Sequence, residues 1–314
     1  MPSPTIQWFP GHMAKTRRMI TENIKNVDFI IEILDARIPH SSKNPEIARL
    51  TEGKPRIILL NKASLADPVQ SEKWKAKYTE DGCACILTDC ISGSGLDKLM
   101  PAVNKLMEEK LQRYSDKGMT GRKLKAMVLG IPNVGKSSLI NKLCGNKKAK
   151  VEDRPGVTLN KQWVPTNLGI DLLDMPGVLW PKFDDQLTGE NLAVTGAIKD
   201  AVVDIETLAG ILCKRLMDVA PELFLARYKL NNEGGRLLEL KPHELLAEVA
   251  KKRGFLLSGG ELNTERAAII VLDEFRGAKI GRITLELPQD KEAVKAPEAA
   301  NESVPEDKAE VGDA

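Results

Sequence analysis

A glycine-containing loop near the middle of the chain has the residues needed to hold phosphate. The stretch 130–138 reads GIPNVGKSS and matches the pattern G-x-x-x-x-G-K-[ST]. An apolar run at 124–131 precedes the loop and a helical run at 136–145 follows it, which is the context that gives this pattern its meaning. Amides at the start of a helix attract anions because they have no partner inside the helix. The sequence therefore predicts a nucleoside phosphate site.

Each loop residue has an expected part in that site. Lys136 is expected to bridge the β- and γ-phosphates, and the Ser137 hydroxyl to reach magnesium. The alternative is a glycine turn before an ordinary helix, which the full order of strand, loop, Lys-Ser pair and helix disfavours. The loop residues predicted to bind nucleotide are Asn133, Val134, Gly135, Lys136, Ser137 and Ser138.

The stretch NKAS, 61–64, lies at the end of a predicted strand and indicates which base is bound. It resembles the Asn-Lys-x-Asp motif of GTPases, which implies that Asn61 contacts guanine and that the stem of Lys62 covers the ring. In that motif an aspartate accepts hydrogen bonds from guanine N1 and N2, but here the fourth residue is Ser64. A hydroxyl accepts a bond without the charge of a carboxylate, so base discrimination is expected to weaken by about 1–3 kcal/mol. Taken alone, NKAS is also compatible with a strand-end turn.

A second guanine loop is predicted at 90–95, CISGSG, which follows the next strand. It resembles the GTPase loop whose backbone faces the base, and Ile91 and Ser92 occupy the corresponding positions. Its position after a neighbouring strand places it beside NKAS, because parallel strands end at the same edge of a sheet.

Two further stretches complete the predicted site. DMPG, 174–177, resembles the GTPase Asp-x-x-Gly motif, which implies that Asp174 holds magnesium through water and that the Gly177 amide contacts the γ-phosphate. Thr158 in RPGVT is the expected switch threonine, with its hydroxyl on magnesium. Together with the phosphate loop and guanine loops, these residues predict one site for GTP or GDP with magnesium.

The order of these motifs is unusual, because both guanine loops precede the phosphate loop. This order resembles that of the circularly permuted GTPases. QWFPGHMAKTRR (7–18), DARIPHSSKNP (35–45) and DMPGVLWPKF (174–183) are similar to the ribosome biogenesis GTPase A family, also called YlqF or RbgA. The resemblance runs from about residue 6 to residue 285, with Ser64 as its main departure. It implies a GTPase that assists assembly of the large ribosomal subunit, with a C-terminal helical domain contacting ribosomal RNA.

The residue that orients the attacking water is not given by the Asp-x-x-Gly motif. Many GTPases have a glutamine directly after it, but Val178 here can do no proton chemistry. His12, expected on a glycine-containing loop beside Trp8 and Phe9, is the candidate catalytic residue, because imidazole can position water at neutral pH. A structural role for His12 remains equally open. The resemblance also suggests that Asn133 coordinates potassium.

Alternating strands and helices predict an α/β fold with a mostly parallel sheet covered on both faces. The predicted divisions are a circularly permuted P-loop GTPase domain at 1–182, a small all-helical RNA-binding domain at 183–287 and a disordered acidic tail at 288–314. The predicted strands are 29–34, 56–60, 83–89, 124–131, 162–168 and 170–175. The clearest predicted helices are 45–50, 68–78, 100–114, 136–145, 244–254 and 263–277.

Charge and cysteine content restrict the remaining possibilities. The tail has eight acidic residues against three lysines, a net charge of −5, which leaves +7 on the rest of a chain whose total is +2. Such a body is compatible with nucleic acid binding but equally with plain solubility. Five cysteines without a repeated pair spacing favour reduced thiols over disulfides or zinc. No apolar run long enough for a membrane span or signal peptide is present.

The sequence thus predicts a cytoplasmic, monomeric enzyme that hydrolyses GTP to GDP and phosphate and assists late assembly of the large ribosomal subunit. The expected partners are the precursor of that subunit and its rRNA, with no membrane. A protein that binds RNA in a nucleotide-dependent way but hardly hydrolyses, acting as a placeholder, is the alternative.

Overall fold

A six-stranded sheet forms the frame of the N-terminal part of the described chain. The computed structural model describes residues 11–119, 121–145, 162–180, 183 and 185–288. The strand order is β3-β2-β1-β4-β6-β5, and all neighbouring strands are parallel except β5 and β6. The strands are β1 Phe29–Asp35, β2 Arg56–Asn61, β3 Ala84–Leu87, β4 Leu124–Gly130, β5 Gln162–Pro165 and β6 Ile170–Asp174.

Helices cover both faces of this sheet. In the N-terminal part they are α1 Gly11–Asn23, α2 Pro45–Leu50, α3 Pro68–Glu80, α4 Leu99–Leu106, α5 Glu108–Asp116 and α6 Lys136–Cys144. Alternate residues of β1 point to opposite faces: Ile30 packs with Ile20 of α1, whereas Ile31 packs in the cluster that contains Leu139 of α6. All residues of β1 are buried, as expected for a strand at the centre of a parallel sheet. The predicted α/β architecture is confirmed.

The order in which strands are added to the sheet reverses between β1 and β4. From β1 the chain adds β2 and β3 on one side, and from β4 it adds β6 and β5 on the other. Loops that leave the carboxyl ends of β1 and β4 therefore diverge and open a crevice, which is where ligands bind in sheets of this kind. The predicted phosphate and guanine loops all leave this edge.

Two details of the predicted elements are wrong. The predicted single helix at 100–114 is two helices, α4 and α5, separated at Met107, whose φ of −107° and ψ of 12° are not helical. Met107 is buried, and no glycine or proline marks the break, so the periodic pattern gave no signal of it. The strand predicted at 83–89 is confined to β3 Ala84–Leu87, and two residues after it the amide of Asp89 donates to the carbonyl of Ser94 instead of to β2.

The N-terminal glycine-containing loop predicted around His12 is also wrong, because residues from Gly11 onward form α1. Thr16, Met19, Ile20 and Asn23 are buried and recur at helical spacing. They place one face of α1 on the sheet, and this packing accounts for a helix where the sequence suggested a loop.

The C-terminal part is helical, as predicted. Its helices are α7 Gln186–Val194, α8 Ile205–Val219, α9 Pro221–Tyr228, α10 Arg236–Glu239, α11 Pro242–Arg253 and α12 Thr264–Arg276. Leu212 of α8, Val249 of α11 and Val271 of α12 are fully buried and belong to the same apolar cluster as the second face of the sheet. The two parts therefore share one continuous core.

After α12 the chain returns to the sheet, and residues 280–287 are here called the return segment. Its backbone amides at Ile283 and Leu285 donate to the carbonyls of Leu65 and Arg37, at 3.2 and 2.8 Å. Glu286 is half-buried, and its carboxylate accepts hydrogen bonds from the amides of His40 and Ser41 in the loop after β1. The return segment thus lies along the loops that follow β1 and β2. The predicted tail beyond Pro288 is outside the described residues.

Candidate nucleotide-binding site

The phosphate loop has a backbone that favours its particular residues. Gly135 has a φ of 108° and comes directly before α6, and Asn133 has a φ of 55°. Left-handed backbone of this kind suits glycine and asparagine. A Cβ at Gly135 would also lie 2.2 Å from Nδ2 of Asn61, so this position has no room for a side chain. The loop and the first guanine motif are therefore in contact.

Lys136 is buried at the start of α6, inside the curve of the loop. Its Nζ donates to the carbonyl oxygens of Gly130 at 3.0 Å and Ile131 at 2.7 Å. Burial lowers the pKa of Lys136 to about 8, although the nearby Asp174 carboxylate favours the charged form. A buried ammonium held by neutral carbonyls is well placed to exchange them for phosphate oxygens.

Asp174 ends β6 and faces the same space. It is buried, and its Oδ1 has no hydrogen-bond partner among the described residues. Burial raises the pKa of Asp174 to about 6, against the attraction of Lys136 and a hydrogen bond from Met175. A buried carboxylate oxygen without a donor is a group that a cation would satisfy. Ser137, half-buried in the first turn of α6, is the other described residue predicted to hold that cation.

The loop after Asp174 is fixed against the phosphate loop. A Cβ at Gly177 would lie 2.8 Å from Nζ of Lys136 and 2.9 Å from the backbone of Pro132. The amide of Val178 donates to the carbonyl of Gly130 at 3.3 Å. Only glycine allows this approach, so Gly177 is in the position predicted for a residue that responds to the γ-phosphate.

Asn61 joins the phosphate loop to the second guanine loop. Its Nδ2 donates to the carbonyl of Val134 at 2.7 Å, and its Oδ1 accepts from the amide of Cys90 at 2.9 Å. Asn61 is buried, so both bonds are shielded from water. Three stretches far apart in sequence therefore form a single cradle at the sheet edge.

Lys62 belongs to a charged group with Asp35 and Arg37, two residues that the sequence analysis did not assign to the site. Its Nζ pairs with Oδ2 of Asp35 at 3.0 Å, and Asp35 also binds Arg37 through both carboxylate oxygens. Burial alone would raise the pKa of Asp35, but Arg37 and Lys62 hold it far below its usual range. The signal was the polar DAR at the end of β1, since residues at a strand's carboxyl end lie in the crevice.

The fourth residue of the guanine motif has a carboxylate as its neighbour. The Ser64 hydroxyl donates to Oδ2 of Asp89, which comes just after β3. Oδ1 of Asp89 accepts from the amides of Ile91 at 3.1 Å and Ser92 at 2.9 Å. Sequence reasoning missed Asp89. That the backbone of Ile91 and Ser92 faces a base stays a prediction, since both amides contact Asp89 here.

Comparison with known proteins shows the family to which a chain with this fold belongs. A family model described as 50S ribosome-binding GTPase matches residues 125–220. The chain is 43% identical over 288 residues to a ribosome biogenesis GTPase A of Bacillus licheniformis, covering 91% of this chain and 99% of the relative. It is 33% identical over 295 residues to mitochondrial ribosome-associated GTPase 1 of Mus musculus, covering 89% and 90%. A crystal structure of GNP-bound YlqF from T. maritima has a TM-score of 0.57 and 27% identity, over 88% and 99% of the two chains.

The chain belongs to the ribosome biogenesis GTPase A family. Membership confirms the predicted resemblance, the predicted P-loop GTPase fold and the predicted enzyme class. The 50S ribosome-binding GTPase model begins at Lys125 and so leaves both guanine loops unmatched. Those loops lie earlier in the chain, as expected for a permuted member of the family.

Three predicted site residues need separate mention. Thr158 lies outside the described residues, and so does the side chain of His12, whose backbone is in the first turn of α1. Asn133 donates its Nδ2 to the carbonyl of Gly196 at 2.8 Å, which links the phosphate loop to the segment after α7. Magnesium binding by Thr158, water orientation by His12 and potassium binding by Asn133 stay predictions.

Proposed function

We propose that the chain binds GTP with magnesium in this cradle, hydrolyses it to GDP and phosphate, and thereby assists late assembly of the large ribosomal subunit. The observation that carries the proposal is the pair of Asn61 hydrogen bonds, which brings the phosphate loop and the second guanine loop together at the sheet edge. The B. licheniformis relative, named for ribosome biogenesis, supports the biological setting. Within the described residues, no helix is both long and apolar enough to cross a bilayer.

On the phosphate side, Lys136 would exchange its two carbonyl partners for phosphate oxygens. Ser137 and Asp174 fit a magnesium ion, because Asp174 offers an unpartnered carboxylate oxygen next to the loop. Bound magnesium would neutralise charge that develops on the phosphates. Thr158 is the third proposed ligand.

Hydrolysis also needs a group that positions water, and Val178 is apolar and mostly buried. We assign that part to His12. A His12→Ala variant is expected to bind GTP normally and to lose subunit-stimulated phosphate release by about a hundredfold, within the usual range for general acid–base groups. Full stimulated turnover in this variant would restrict His12 to a structural role.

The γ-phosphate can influence the helical part through two contacts of the phosphate loop. Gly177 lies against Lys136, and Asn133 bonds Gly196. Loss of the γ-phosphate would free the Gly177 loop and reposition the helices beyond it, which is a usual kind of GTPase switch. Small-angle scattering of the GDP form and the form with a non-hydrolysable GTP analogue, free and subunit-bound, tests this. Identical profiles in both states would contradict it.

Contact with rRNA would use exposed lysines of the helical part. Of the basic residues there, Arg227 and Arg253 pair with Glu274, and Arg236 pairs with Glu248. Lys214 and Arg215 donate to backbone carbonyls. The exposed lysines that form no ion pair with any residue that the structure describes include Lys229, Lys241, Lys251 and Lys252.

Loss of contacts to backbone phosphates weakens binding without changing sequence preference. Reversing the charge of Lys251 and Lys252 together is therefore expected to lower affinity for the subunit precursor and to flatten its salt dependence. Charge reversal of Lys105, exposed on α4, is the control. Equal salt slopes for the two variants would remove these lysines from the interface.

Potassium is proposed as an additional ion near the phosphates, held by the side-chain oxygen of Asn133. Its Nδ2 is already bonded to Gly196, which leaves that oxygen as the group for a cation. Turnover should therefore be faster in potassium than in sodium at equal ionic strength. Equal rates would exclude the ion.

The decisive experiment for the function is multiple-turnover phosphate release with and without large-subunit precursors. The proposal predicts slow release by the free protein and faster release when precursors are added. The alternative, a nucleotide-dependent RNA-binding placeholder, predicts a single turnover at most and no stimulation. A Lys136→Ala variant measures the background. The proposal also expects the protein to be a monomer and to lie in the cytoplasm. Sedimentation tests the oligomeric state, and cell fractionation tests the location.

A further inference from the structure

The base end of the cradle contains a carboxylate next to Ser64. Asp89 comes just after β3, which is the neighbour of β2, the strand that ends at Asn61. Asp89 is half-buried, and Ser64 is exposed. Arg282 of the return segment donates to the carbonyls of Ala63 at 2.8 Å and Ala66 at 3.0 Å, one residue before Ser64 and two after it. The hydroxyl of Ser64 is therefore carried on a fixed piece of backbone and points at Asp89.

Counting lone pairs shows what this pair can still accept. A carboxylate has about four acceptor sites, and a hydroxyl has one donor and two acceptor sites. Asp89 uses two sites on Oδ1 for the amides of Ile91 and Ser92, and one on Oδ2 for the Ser64 hydroxyl. Asp89 forms no ion pair with any residue of the described chain. The hydroxyl of the exposed Ser92 also interacts with this carboxylate, but it can rotate to solvent. One site on Oδ2 and the lone pairs of Ser64 Oγ are then open to a ligand.

We propose that Ser64 Oγ and Asp89 Oδ2 together recognise the N1–H and N2–H groups of guanine, so that Asp89 is the specificity-determining residue in place of the missing aspartate at position 64. This inference rests on the proposed nucleotide site. The Ser64 hydroxyl donates to a carboxylate, so its oxygen faces the ligand only as an acceptor. Two adjacent acceptors and one negative charge match two adjacent donors on the base.

The arrangement discriminates bases by their edges. Inosine lacks the 2-amino group and would leave one acceptor unpaired, whereas the 2-carbonyl of xanthine would face an acceptor. Adenine offers neither donor at this edge. A site built to hydrogen-bond a donor rejects ligands that lack it, because the site's polar groups then lose their partner. We therefore expect selectivity for guanine despite Ser64.

Four variants of the full chain test this, with affinities for GDP, IDP, XDP and ADP measured by calorimetry with magnesium. Asp89→Asn replaces an acceptor by a donor, so GDP affinity should fall roughly ten- to a hundredfold and preference should move toward XDP. Ser64→Asp places a second carboxylate beside Asp89, so GDP binding should weaken, because like charges repel. Ser64→Asp with Asp89→Asn should recover GDP binding. Asp97→Asn, an exposed acid in the turn after the second guanine loop, is the control.

Affinity ratios within one variant are insensitive to a partial loss of folding, so they separate the outcomes. An Asp89→Asn variant with the same GDP, IDP and XDP ratios as the unmodified chain would overturn the role of Asp89, as would equal GDP affinities for Ser64→Asp and the double variant. Either result leaves the proposed function standing if GDP still binds far more tightly than ADP. Equal binding of GDP and ADP by the unmodified chain would overturn both.

Discussion

The phosphate end and the base end of the cradle are built differently. At the phosphate end, consecutive residues between β4 and α6 supply the backbone donors and the buried Lys136. At the base end, Asn61 is the last residue of β2 and Asp89 follows β3, and both are held by side-chain hydrogen bonds. The return segment adds a third stretch from far along the chain. The phosphate loop is thus local in sequence, with Asp174 and Gly177 added from β6 and the turn after it, whereas the base end is assembled wholly by the fold.

This difference predicts how each end responds to change. Loss of Lys136 removes a charge that we propose contacts the ligand itself. Loss of a side chain at the base end disturbs the position of backbone groups, and the other tethers partly preserve that position. Substitutions at the two ends should therefore differ in size and in their effect on base selectivity.

The largest effect is expected for Lys136→Ala. Removing the ammonium takes away its contact with the β- and γ-phosphates, and charged hydrogen bonds of this kind contribute roughly 1.5–3 kcal/mol each. Affinities for GDP and GTP should fall by about a hundredfold or more, with base selectivity unchanged. Calorimetry with Lys105→Ala as the control measures this. Unchanged affinity would show that the phosphates bind elsewhere.

Asn61→Ala should have the next largest effect and should alter selectivity. It removes the bonds to Val134 and Cys90 and leaves a buried carbonyl and amide unpaired, each worth roughly 1–3 kcal/mol. GDP affinity should fall by about tenfold or more, and the preference for GDP over ADP should decrease. Asn104→Ala, at an exposed position of α4, is the matched control. A loss of affinity that is equal for GDP and ADP would contradict a role in joining the base loop.

A pH effect is expected from Asp174, whose pKa is raised by burial to about 6. Metal ligands must be deprotonated, so a proton competes with magnesium below this pH. Magnesium-dependent GDP affinity should fall by about tenfold per pH unit below 6 and stay level above it. The Asp174→Asn variant should bind magnesium and GDP weakly, and its affinity should not depend on pH in this range. The Asp171→Asn variant, changed on the same strand, should keep the pH dependence. A pH-independent affinity in the unmodified chain would exclude Asp174 as a ligand.

The raised pKa of Asp174 also affects the folding stability of the nucleotide-free protein, with a pH dependence opposite to that of magnesium binding. Because the folded-state pKa of Asp174 lies above the ordinary value of 3.8, folding favours its protonated form. Its contribution to stability should be present at low pH and be lost as the pH rises from about 4 to about 6. Thermal unfolding of the unmodified chain and of Asp174→Asn, without nucleotide, should therefore converge at low pH. A constant difference across this range would contradict the assignment.

The smallest effect is expected for Arg282→Ala in the return segment. It removes two hydrogen bonds to the carbonyls on either side of Ser64, yet Asn61 and Asp35 still hold the motif. GDP affinity should fall a few-fold, in line with a net contribution of about 1 kcal/mol per bond. Lys279→Ala, exposed just after α12, is the control. No difference between the two variants would separate the return segment from the base end.

The sequence predicted the elements of the phosphate loop, because the pattern, the strand before it and the helix after it are contiguous, and phosphate binding by its residues stays a prediction. Lys136, Asp174 and Gly177 lie together at the carboxyl edge of the sheet, where their motifs placed them. The alternation of apolar runs also predicted the sheet and the order of its elements. Local patterns report local structure, and here much of the chemistry is local.

The base end was predicted only in part. Asn61, Lys62 and Ser64 were found by their motif, but Asp35 and Asp89 lie in no motif of their own. The DAR stretch at the end of β1 pointed to Asp35, but the contacts of both residues join different strand ends, and these depend on strand order and cannot be read from spacing along the chain. The return segment was missed for the same reason, since its partners lie more than 200 residues earlier. The turn of the chain at Met107 followed from burial of that side chain and not from a helix-breaking residue.

The measurement that tests the central claim most directly is the affinity of the unmodified chain for GDP against ADP with magnesium, repeated for Lys136→Ala and Asn61→Ala. One shared cradle predicts GDP binding that is about a hundredfold or more tighter than ADP binding, a loss for both nucleotides in Lys136→Ala, and a selective loss for GDP in Asn61→Ala. If ADP bound as tightly as GDP, or if Asn61→Ala left both affinities unchanged, the phosphate loop and the guanine loops would not hold the same ligand.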